Sequence, residues 1–216
     1  MLLRFFTIYL LLTIQLAHSD HINNSKDNEN TIIVVGDSLS AAYGIELKKG
    51  WVNLLRSRLQ DFDSNTKWNV INASISGDTT AGGLERLTKL INDHQPVLCI
   101  IALGANDGLR GQSLSLMHNN LERMVNECSL IGTSLLIGMM LPPNYGEKYT
   151  RAFHQVYTNV AQQNNIIYVP FMLQGIALQD EFFQADRLHP TAEAQPIILE
   201  NIWAKLREIL INIKNH

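Results

Sequence analysis

The chain has 216 residues, of which 17 are Lys or Arg and 20 are Asp or Glu, and its net charge is −3. This length suits one domain with a sizeable hydrophobic core. The slight acidic excess argues against a nucleic-acid-binding protein, which needs clustered Lys and Arg. No CxxC, HExxH or clustered His and Cys pattern occurs, so the sequence predicts no metal site.

Residues 1–19 have the three parts of a secretory signal. Arg4 precedes an apolar run that reaches about Leu16, and Ala17 and Ser19 are the small residues needed for cleavage after Ser19. The run is shorter than the ~20 apolar residues of a membrane span, although an uncleaved signal anchor is the alternative. Cleavage removes one basic residue and leaves a net charge of −4. We therefore expect an exported, periplasmic protein that has no stable membrane anchor after cleavage and acts as a monomer.

Residues 20–30 are polar and aperiodic, which predicts a flexible lead, and residues 31–214 then alternate between strand-like and helix-like segments. Apolar runs typical of strands occupy residues 32–35, 68–73, 97–103, 134–140 and 166–169. Helical spacing of apolar residues predicts helices over residues 51–60, 84–92, 114–131, 148–163 and about 191–213. Since the strand runs are continuously apolar, both faces of the sheet should be buried. The sequence predicts an α/β fold, a three-layer α/β/α sandwich with a five-stranded parallel sheet.

The two cysteines fall in different predicted elements. Cys99 lies in the third strand run, and Cys128 lies in the third helical segment. An exported protein could join them in a disulfide, but apolar settings of this kind favour two buried free thiols. We expect free thiols, and the sequence leaves the pairing open.

Three short polar motifs follow the first three strand runs. They read GDSLS at residues 36–40, SISGDT at residues 74–79 and LGAND at residues 103–107. Ligands of parallel α/β sheets bind beyond the carboxyl ends of the strands, near the point where strand order reverses. We therefore expect the three motifs to meet at one edge of the sheet and to form the functional site there.

Ser38 in the first motif is a candidate nucleophile. A serine hydroxyl needs a base to take its proton, and the stretch ADRLHPTAE supplies Asp186 and His189, three residues apart. In this hypothesis Asp186 accepts the Nδ1 proton of His189, and Nε2 takes the proton of Ser38. The alternative for Ser38 is a helix N-cap, and the alternative for Asp186 and His189 is an exposed surface pair.

Gly77 and Asn106 are candidates for binding the oxyanion that would form on an attacked carbonyl. Gly77 can bring its backbone N–H close because it has no side chain, Asn106 can offer its amide, and the Ser38 N–H would be a third donor. Taken singly, Gly77 could only supply a positive φ in a turn, and Asn106 could only cap one. Their coincidence at successive strand ends favours the catalytic interpretation.

These residues resemble the SGNH, or GDSL, hydrolases, whose four sequence blocks centre on Ser, Gly, Asn and His. The likeness covers about residues 31–210, and the stretches LPPNYG and DRLHPTAEAQP are similar to an exported bacterial subgroup of thioesterases, lysophospholipases and arylesterases. The resemblance implies a flavodoxin-like sheet and no cofactor. It implies Ser38 as nucleophile, His189 as base, Asp186 as the partner of the base, and an oxyanion hole made by Ser38, Gly77 and Asn106.

The same resemblance implies hydrolysis of small-molecule acyl esters and thioesters, with specificity set by two loops, residues 106–115 and 139–149. Leu109, Leu141 and Tyr145 in these loops, together with Met139, could line a site for an acyl chain. Core packing is the alternative for the methionine.

Loop 106–115 is mobile in the resembling subgroup and closes over substrate, which two glycines in this sequence, Gly108 and Gly111, would permit. Lysophospholipids and other acyl esters are the expected substrates of an exported enzyme, since acyl-CoA is cytosolic. A carbohydrate O-acetyl esterase is the alternative enzyme, and a non-catalytic lipid-binding carrier is the alternative from another class.

Overall fold

A computed structural model describes residues 30–215 of the chain. The predicted signal at residues 1–19 and nearly all of the predicted lead lie outside the described residues. Asn30, the last residue of that lead, instead opens the first strand. Its backbone N–H donates to the Lys67 carbonyl at 2.9 Å, next to the start of the neighbouring strand, so pairing begins two residues before the apolar run.

Five strands form one fully parallel sheet, as predicted. They are β1 Asn30–Gly36, β2 Trp68–Asn72, β3 Leu98–Ala102, β4 Thr133–Ile137 and β5 Ile167–Val169, in the order β2-β1-β3-β4-β5. The strand ends differ most at β4, which was predicted to reach residue 140 but ends at Ile137. Gly138 still donates its N–H to the Val169 carbonyl of β5 at 2.8 Å, but residues 138–140 are no longer strand.

Six α-helices accompany the sheet within residues 30–215. They are α1 Trp51–Phe62, α2 Thr80–His94, α3 Ala105–Leu109, α4 Leu114–Ser129, α5 Glu147–Gln163 and α6 Gln195–Lys214. Helix α1 packs against α6, and α2, α4 and α5 pack side by side, which gives a helical layer on each face of the sheet. The sequence missed α3, because five residues that include a glycine and two polar side chains carry no helical periodicity.

The central strands of the sheet, β1, β3 and β4, are buried on both faces, which is why they read as largely apolar runs, whereas β2 at the edge buries only Val70. The four residues 32–35 of β1 have no exposed surface, and every residue of β3 is buried. Helix α1 covers the sheet with Trp51, Leu55 and Leu59, a stripe at helical spacing. None of the helices in residues 30–215 is both long and apolar enough to cross a bilayer.

The strand order reverses beside β1, and this places the site. The chain passes from β1 to β2 on one side of the sheet and then crosses to β3 on the other side. Gly36 at the end of β1 pairs in register with Ala102 at the end of β3. The segments that follow these two strands therefore diverge from neighbouring points and leave a crevice between them, where ligands of such sheets bind.

Cys99 and Cys128 form a disulfide, so the expectation of free thiols was wrong. Both residues are buried, as predicted, but α4 crosses β3 at this point and brings the two Cα atoms to 6.2 Å. That separation lies within the range that a disulfide spans. The sequence could not decide this, because a separation of 29 residues says nothing about where a helix crosses a strand.

Removing this disulfide should lower the free energy of unfolding by about 3–4 kcal/mol, because it releases a loop of 29 residues in the unfolded chain. The measurement is urea unfolding of wild type and of the Cys99→Ala, Cys128→Ala double variant. Wild type reduced by dithiothreitol is the matched control, since it loses the bond without losing side-chain volume. A reduced protein within 1 kcal/mol of the oxidised one would contradict the expectation.

Candidate active site

Ser38 lies in a series of turns, not at the start of a helix. Strand β1 ends at Gly36, and the following backbone bends so that the Ala41 N–H donates to the Asp37 carbonyl at 2.9 Å and the Tyr43 N–H to the Ser38 carbonyl at 3.2 Å. The next helical residue is Leu47. The N-cap alternative for Ser38 is therefore wrong, and the strand end holds its hydroxyl, half-buried, at the crevice.

Asp186 and His189 lie on a tight turn before α6, and the turn closes on itself. The Gln184 N–H donates to the His189 carbonyl at 2.8 Å, and the Arg187 N–H donates to the Gln184 carbonyl at 2.8 Å. Phe183 and Pro190 form an antiparallel bridge across the base of the turn. This hairpin-like turn places the side chains of Asp186 and His189, three residues apart in the sequence, on the same side of the turn.

The hydroxyl, the imidazole and the carboxylate form one hydrogen-bonded series. His189 Nε2 lies 2.9 Å from Ser38 Oγ, and His189 Nδ1 lies 2.7 Å from Asp186 Oδ2. The imidazole is the less exposed member of the pair, at 15% against 42% for the carboxylate. The surface-pair alternative is therefore wrong, because the histidine reaches inward to the serine.

Hydrogen bonds keep Asp186 ionised although it is partly exposed. Its carboxylate accepts three hydrogen bonds: from the His189 backbone N–H at 3.0 Å, from His189 Nδ1 at 2.7 Å and from the Leu188 backbone N–H at 2.9 Å. These donors, the His189 N–H first, lower the pKa of Asp186 to about 2. A permanent carboxylate at Nδ1 fixes the ring tautomer that leaves Nε2 free to accept a proton.

The predicted oxyanion donors border the same crevice as Ser38. Gly77 follows β2 with φ +79°, which a residue with a side chain would adopt only under strain. Gly77 therefore both allows the turn and lies at the site. Asn106 lies in the first turn of α3, and its Nδ2 donates to the Asp78 carbonyl at 2.9 Å. Within residues 30–215, the backbone N–H groups of Ser38 and Gly77 donate to no other protein group.

Asp37, next to the candidate nucleophile, is a buried carboxyl group that no pattern in the sequence singles out. It is 2% exposed, and it accepts the Leu39 N–H at 3.0 Å and the Asn106 amide at 3.4 Å. Burial raises the pKa of Asp37 to about 6, against the lowering effects of the Leu39 N–H and His189. Asp37 therefore links the serine turn, residues 37–44, to Asn106. Its side chain is mainly ionised only above about pH 6.

This buried carboxyl should make the fold less stable as pH rises from about 4 to about 6. The folded pKa lies above the unfolded value of 3.8, so the folded state binds the proton more tightly, and stability falls until the group is ionised in both states. A shift of this size corresponds to about 3 kcal/mol. Denaturant unfolding at pH 4 and pH 7 should show a smaller decrease for Asp37→Asn than for wild type. The exposed Asp61→Asn is the control, and an identical pH dependence in all three proteins would contradict the expectation.

A cavity of about 850 Å³ opens from the serine, and most of its lining is apolar. Leu109 and Leu141, two of the predicted lining residues, are in its wall, and so is Met139, which is also 9% exposed and packed in the core. The sequence missed the loop after β5. That loop adds Phe171, Leu173, Ala177, Leu178 and Phe183 to the lining. The signal was available, since an apolar stretch directly follows the fifth strand run at the same sheet edge.

Tyr145 does not line this cavity, so that part of the prediction was wrong. The short helical turn Pro143–Tyr145 places its ring over the end of α3, where the hydroxyl donates to the Leu109 carbonyl at 3.1 Å. Tyr149 makes the matching bond to the Gly108 carbonyl, also at 3.1 Å. Tyr145 therefore holds a lining residue in place and itself borders a separate shallow depression.

The two glycines expected to permit movement of loop 106–115 lie in different settings. Gly108 belongs to α3 and is buried, and a side chain there would collide with Phe153. Gly111 has φ +65° and open space around its Cα. Movement of the loop stays a prediction, and Gly111 is the residue at which the backbone has room to change.

Residues 30–215 contain no group of three or more His, Cys, Asp or Glu side chains arranged to hold a metal ion. They do contain a serine hydroxyl, an imidazole and a carboxylate in hydrogen-bonded series at the edge of a parallel sheet. This arrangement is characteristic of serine hydrolases.

Comparison with known proteins identifies the family. Residues 34–196 match the GDSL-like Lipase/Acylhydrolase family. The chain is 47% identical over 181 residues to Esterase TesA of Pseudomonas aeruginosa, covering 83% of this chain and 89% of that protein. It is 35% identical over 209 residues to Thioesterase 1/protease 1/lysophospholipase L1 of Escherichia coli K12, covering 96% and 92%. The chain belongs to the GDSL-like lipase/acylhydrolase family, and it is a serine esterase.

Solved structures agree with this assignment. The crystal structure of TesA is 46% identical with a TM-score of 0.80, and covers 83% of this chain and 99% of that one. The crystal structure of the psychrotrophic esterase EstA from Pseudoalteromonas sp., inhibited by monoethylphosphonate, is 37% identical with a TM-score of 0.78, and covers 84% and 98%. The three-layer SGNH hydrolase fold expected from the sequence is confirmed.

Proposed function

We propose that this chain hydrolyses esters and thioesters of medium and long acyl chains, lysophospholipids included, through an acyl-enzyme on Ser38. The observation that carries the proposal is the apolar cavity of about 850 Å³ that begins at the Ser38 hydroxyl. Sites of this kind recognise ligands mainly by burying apolar surface, with a few polar groups for orientation. Here the polar groups lie at the reacting end and the apolar wall extends from them.

The proposed reaction begins when Ser38 Oγ attacks the acyl carbonyl carbon and His189 Nε2 takes the hydroxyl proton. Asp186 stabilises the resulting imidazolium, and the carbonyl oxygen becomes an oxyanion facing the N–H groups of Ser38 and Gly77 and the amide of Asn106. The C–O or C–S bond then breaks, and the leaving alcohol or thiol receives the proton from Nε2. Water, deprotonated by His189, then attacks the acyl carbon. The bond from this carbon to Ser38 Oγ breaks, Oγ takes the proton back from Nε2, and the fatty acid is released.

The mouth of the cavity supports a lipid-like substrate. Tyr43, Met140, Leu178 and Leu188 border the cavity and are at the same time exposed, Leu178 at 93%. An acyl chain entering here meets apolar side chains before it reaches the serine, which favours chains long enough to contact both rim and wall. An acetyl group would leave most of this apolar lining exposed to water.

A panel of p-nitrophenyl esters with acyl chains of increasing length, run beside a lysophospholipid, tests the proposal. We expect kcat/KM to rise from acetyl towards octanoyl. A preference for acetyl over octanoyl esters would overturn the acyl-chain proposal and favour a carbohydrate O-acetyl esterase. A fluorophosphonate probe separates the enzyme from a lipid carrier, because absence of labelling at Ser38 in folded protein would support the carrier.

We further propose that residues 1–19 direct export to the periplasm and are then removed. The disulfide between Cys99 and Cys128 supports this, since such bonds form and persist in oxidising compartments. Intact-mass measurement of the protein from the native cell tests it. A chain that begins at Asp20 is expected, and a chain that retains Arg4 would overturn cleavage in favour of a signal anchor.

A further inference from the structure

The Ser38 and His189 side chains come from two turns that no strand pairing joins. Ser38 follows β1, whereas His189 belongs to the turn before α6. We propose that Gln184 is a positioning residue. Its side-chain amide connects the histidine turn, residues 183–190, to the serine turn, residues 37–44, and so sets the Ser38–His189 distance. The inference rests on the proposed roles of Ser38 and His189.

The contacts of Gln184 reach both turns. Its Nε2 donates to the Tyr43 carbonyl at 2.8 Å and to the Pro190 carbonyl at 3.1 Å. Its backbone N–H donates to the His189 carbonyl at 2.8 Å. One residue therefore holds the base of the histidine turn through its backbone and ties that turn to a segment 141 residues earlier through its side chain.

The serine turn also leaves room for the Gln184 amide beside Gly44. Gly44 has φ +75°, and a Cβ atom there would lie 2.9 Å from both Cδ and Nε2 of Gln184 and closer still to Oε1. The glycine therefore supplies a backbone shape that leaves room for the Gln184 amide. The two hydrogen bonds that Nε2 donates, to Tyr43 and Pro190, keep the amide oriented in this space.

Tyr43 completes the link on the serine side. Its carbonyl accepts the Gln184 bond, and its ring lies 4.4 Å from the imidazole of His189 between centroids, tilted by 41°. The same residue thus anchors the histidine turn and packs against the ring that must reach Ser38. Tyr43 is 52% exposed at the cavity mouth, so we assign the link between the two turns to the hydrogen bond from the Gln184 amide and not to burial of Tyr43.

This geometry separates two functions within the turn. Bonds inside the turn fix Asp186 against His189, and they do not involve the Gln184 side chain. The Gln184 amide instead fixes where the whole turn sits relative to Ser38, at the 2.9 Å needed for proton transfer. Because rate depends steeply on such placement, losing the amide should slow proton transfer without altering the Asp186–His189 pair or the acyl-chain wall.

The test uses Gln184→Met, which keeps the side-chain length and removes the donor. We expect kcat per fluorophosphonate-titrated site to fall about 10- to 100-fold on an octanoyl ester. KM should stay within twofold, and the midpoint of the acid limb of the pH–rate profile should not move, since the Asp186–His189 bond is intact. The matched control is Gln155→Met, which should leave kcat unchanged, since the Gln155 amide donates to Asn159 on the exposed face of α5.

Two results would overturn the inference: an unchanged kcat per titrated site in Gln184→Met, or a loss expressed as raised KM. If Gln184→Met does not fold, Gly44→Ala serves instead, because its Cβ atom would displace the amide, and the same kcat loss is expected from protein that melts cooperatively. Wild type that is not labelled at Ser38 would defeat the proposed function itself. A labelled wild type beside a fully active Gln184→Met would defeat only the positioning role.

Discussion

Replacing Ser38 by alanine is expected to lower kcat by at least ~10³-fold, because the variant lacks the hydroxyl proposed to form the acyl-enzyme and only residual catalysis is left. Stability should change little, since Ser38 is half-buried and its hydroxyl contacts one partner, His189. The measurement is steady-state hydrolysis of an octanoyl ester, together with thermal melting of wild type and variant.

The neighbouring Ser40→Ala is the matched control. Its hydroxyl lies 2 residues along the same series of turns, is buried, and has no hydrogen-bond partner among the described residues. The control should keep the activity of wild type. A Ser38→Ala protein with more than a tenth of wild-type kcat would contradict the assignment of the nucleophile.

Replacing Asn106 by alanine is expected to lower kcat about 10²- to 10³-fold, which is the usual cost of losing one oxyanion donor. The reason is local, because the side chain starts from α3 and its Nδ2 is already oriented by the Asp78 carbonyl at 2.9 Å and by Asp37. KM for an octanoyl ester should change by much less than kcat, since Asn106 would act on the charge that develops in the transition state.

Asn92→Ala is the control for this variant, since Asn92 is an exposed helical asparagine on α2, and it should behave as wild type. A loss that appears entirely in KM would contradict an oxyanion role and would place Asn106 among the residues that bind the ground state. A loss of folding cooperativity would instead show that Asn106 is needed mainly for structure, through its hydrogen bond to the Asp78 carbonyl.

Much of the fold could be predicted because burial constrains each residue type locally. The central strands of a sheet covered on both faces are mostly apolar, so their runs were visible without any long-range information. The candidate site could be predicted for a related reason. Ser38, Gly77 and Asn106 each follow a strand, and parallel strands end at the same edge.

Contacts between distant segments could not be predicted in the same way. The disulfide depends on where α4 crosses β3, and the place of Tyr145 depends on a proline-led turn that sets its ring over α3. The raised pKa of Asp37 depends on how completely the surrounding segments exclude water. None of these follows from periodicity or spacing, which describe one segment at a time.

The sequence by itself determined the α/β architecture, the order of its elements and the residue types at the candidate site, because local apolar patterns and strand-end motifs record which residues are buried and which face the ligand edge. Only the tertiary structure decided that the imidazole of His189 meets the hydroxyl of Ser38 at 2.9 Å, that the loop after β5 completes the apolar cavity, and that the Gln184 amide contacts both turns. The physical reason is that these depend on the relative placement of segments up to 151 residues apart, which is set by packing of the whole core.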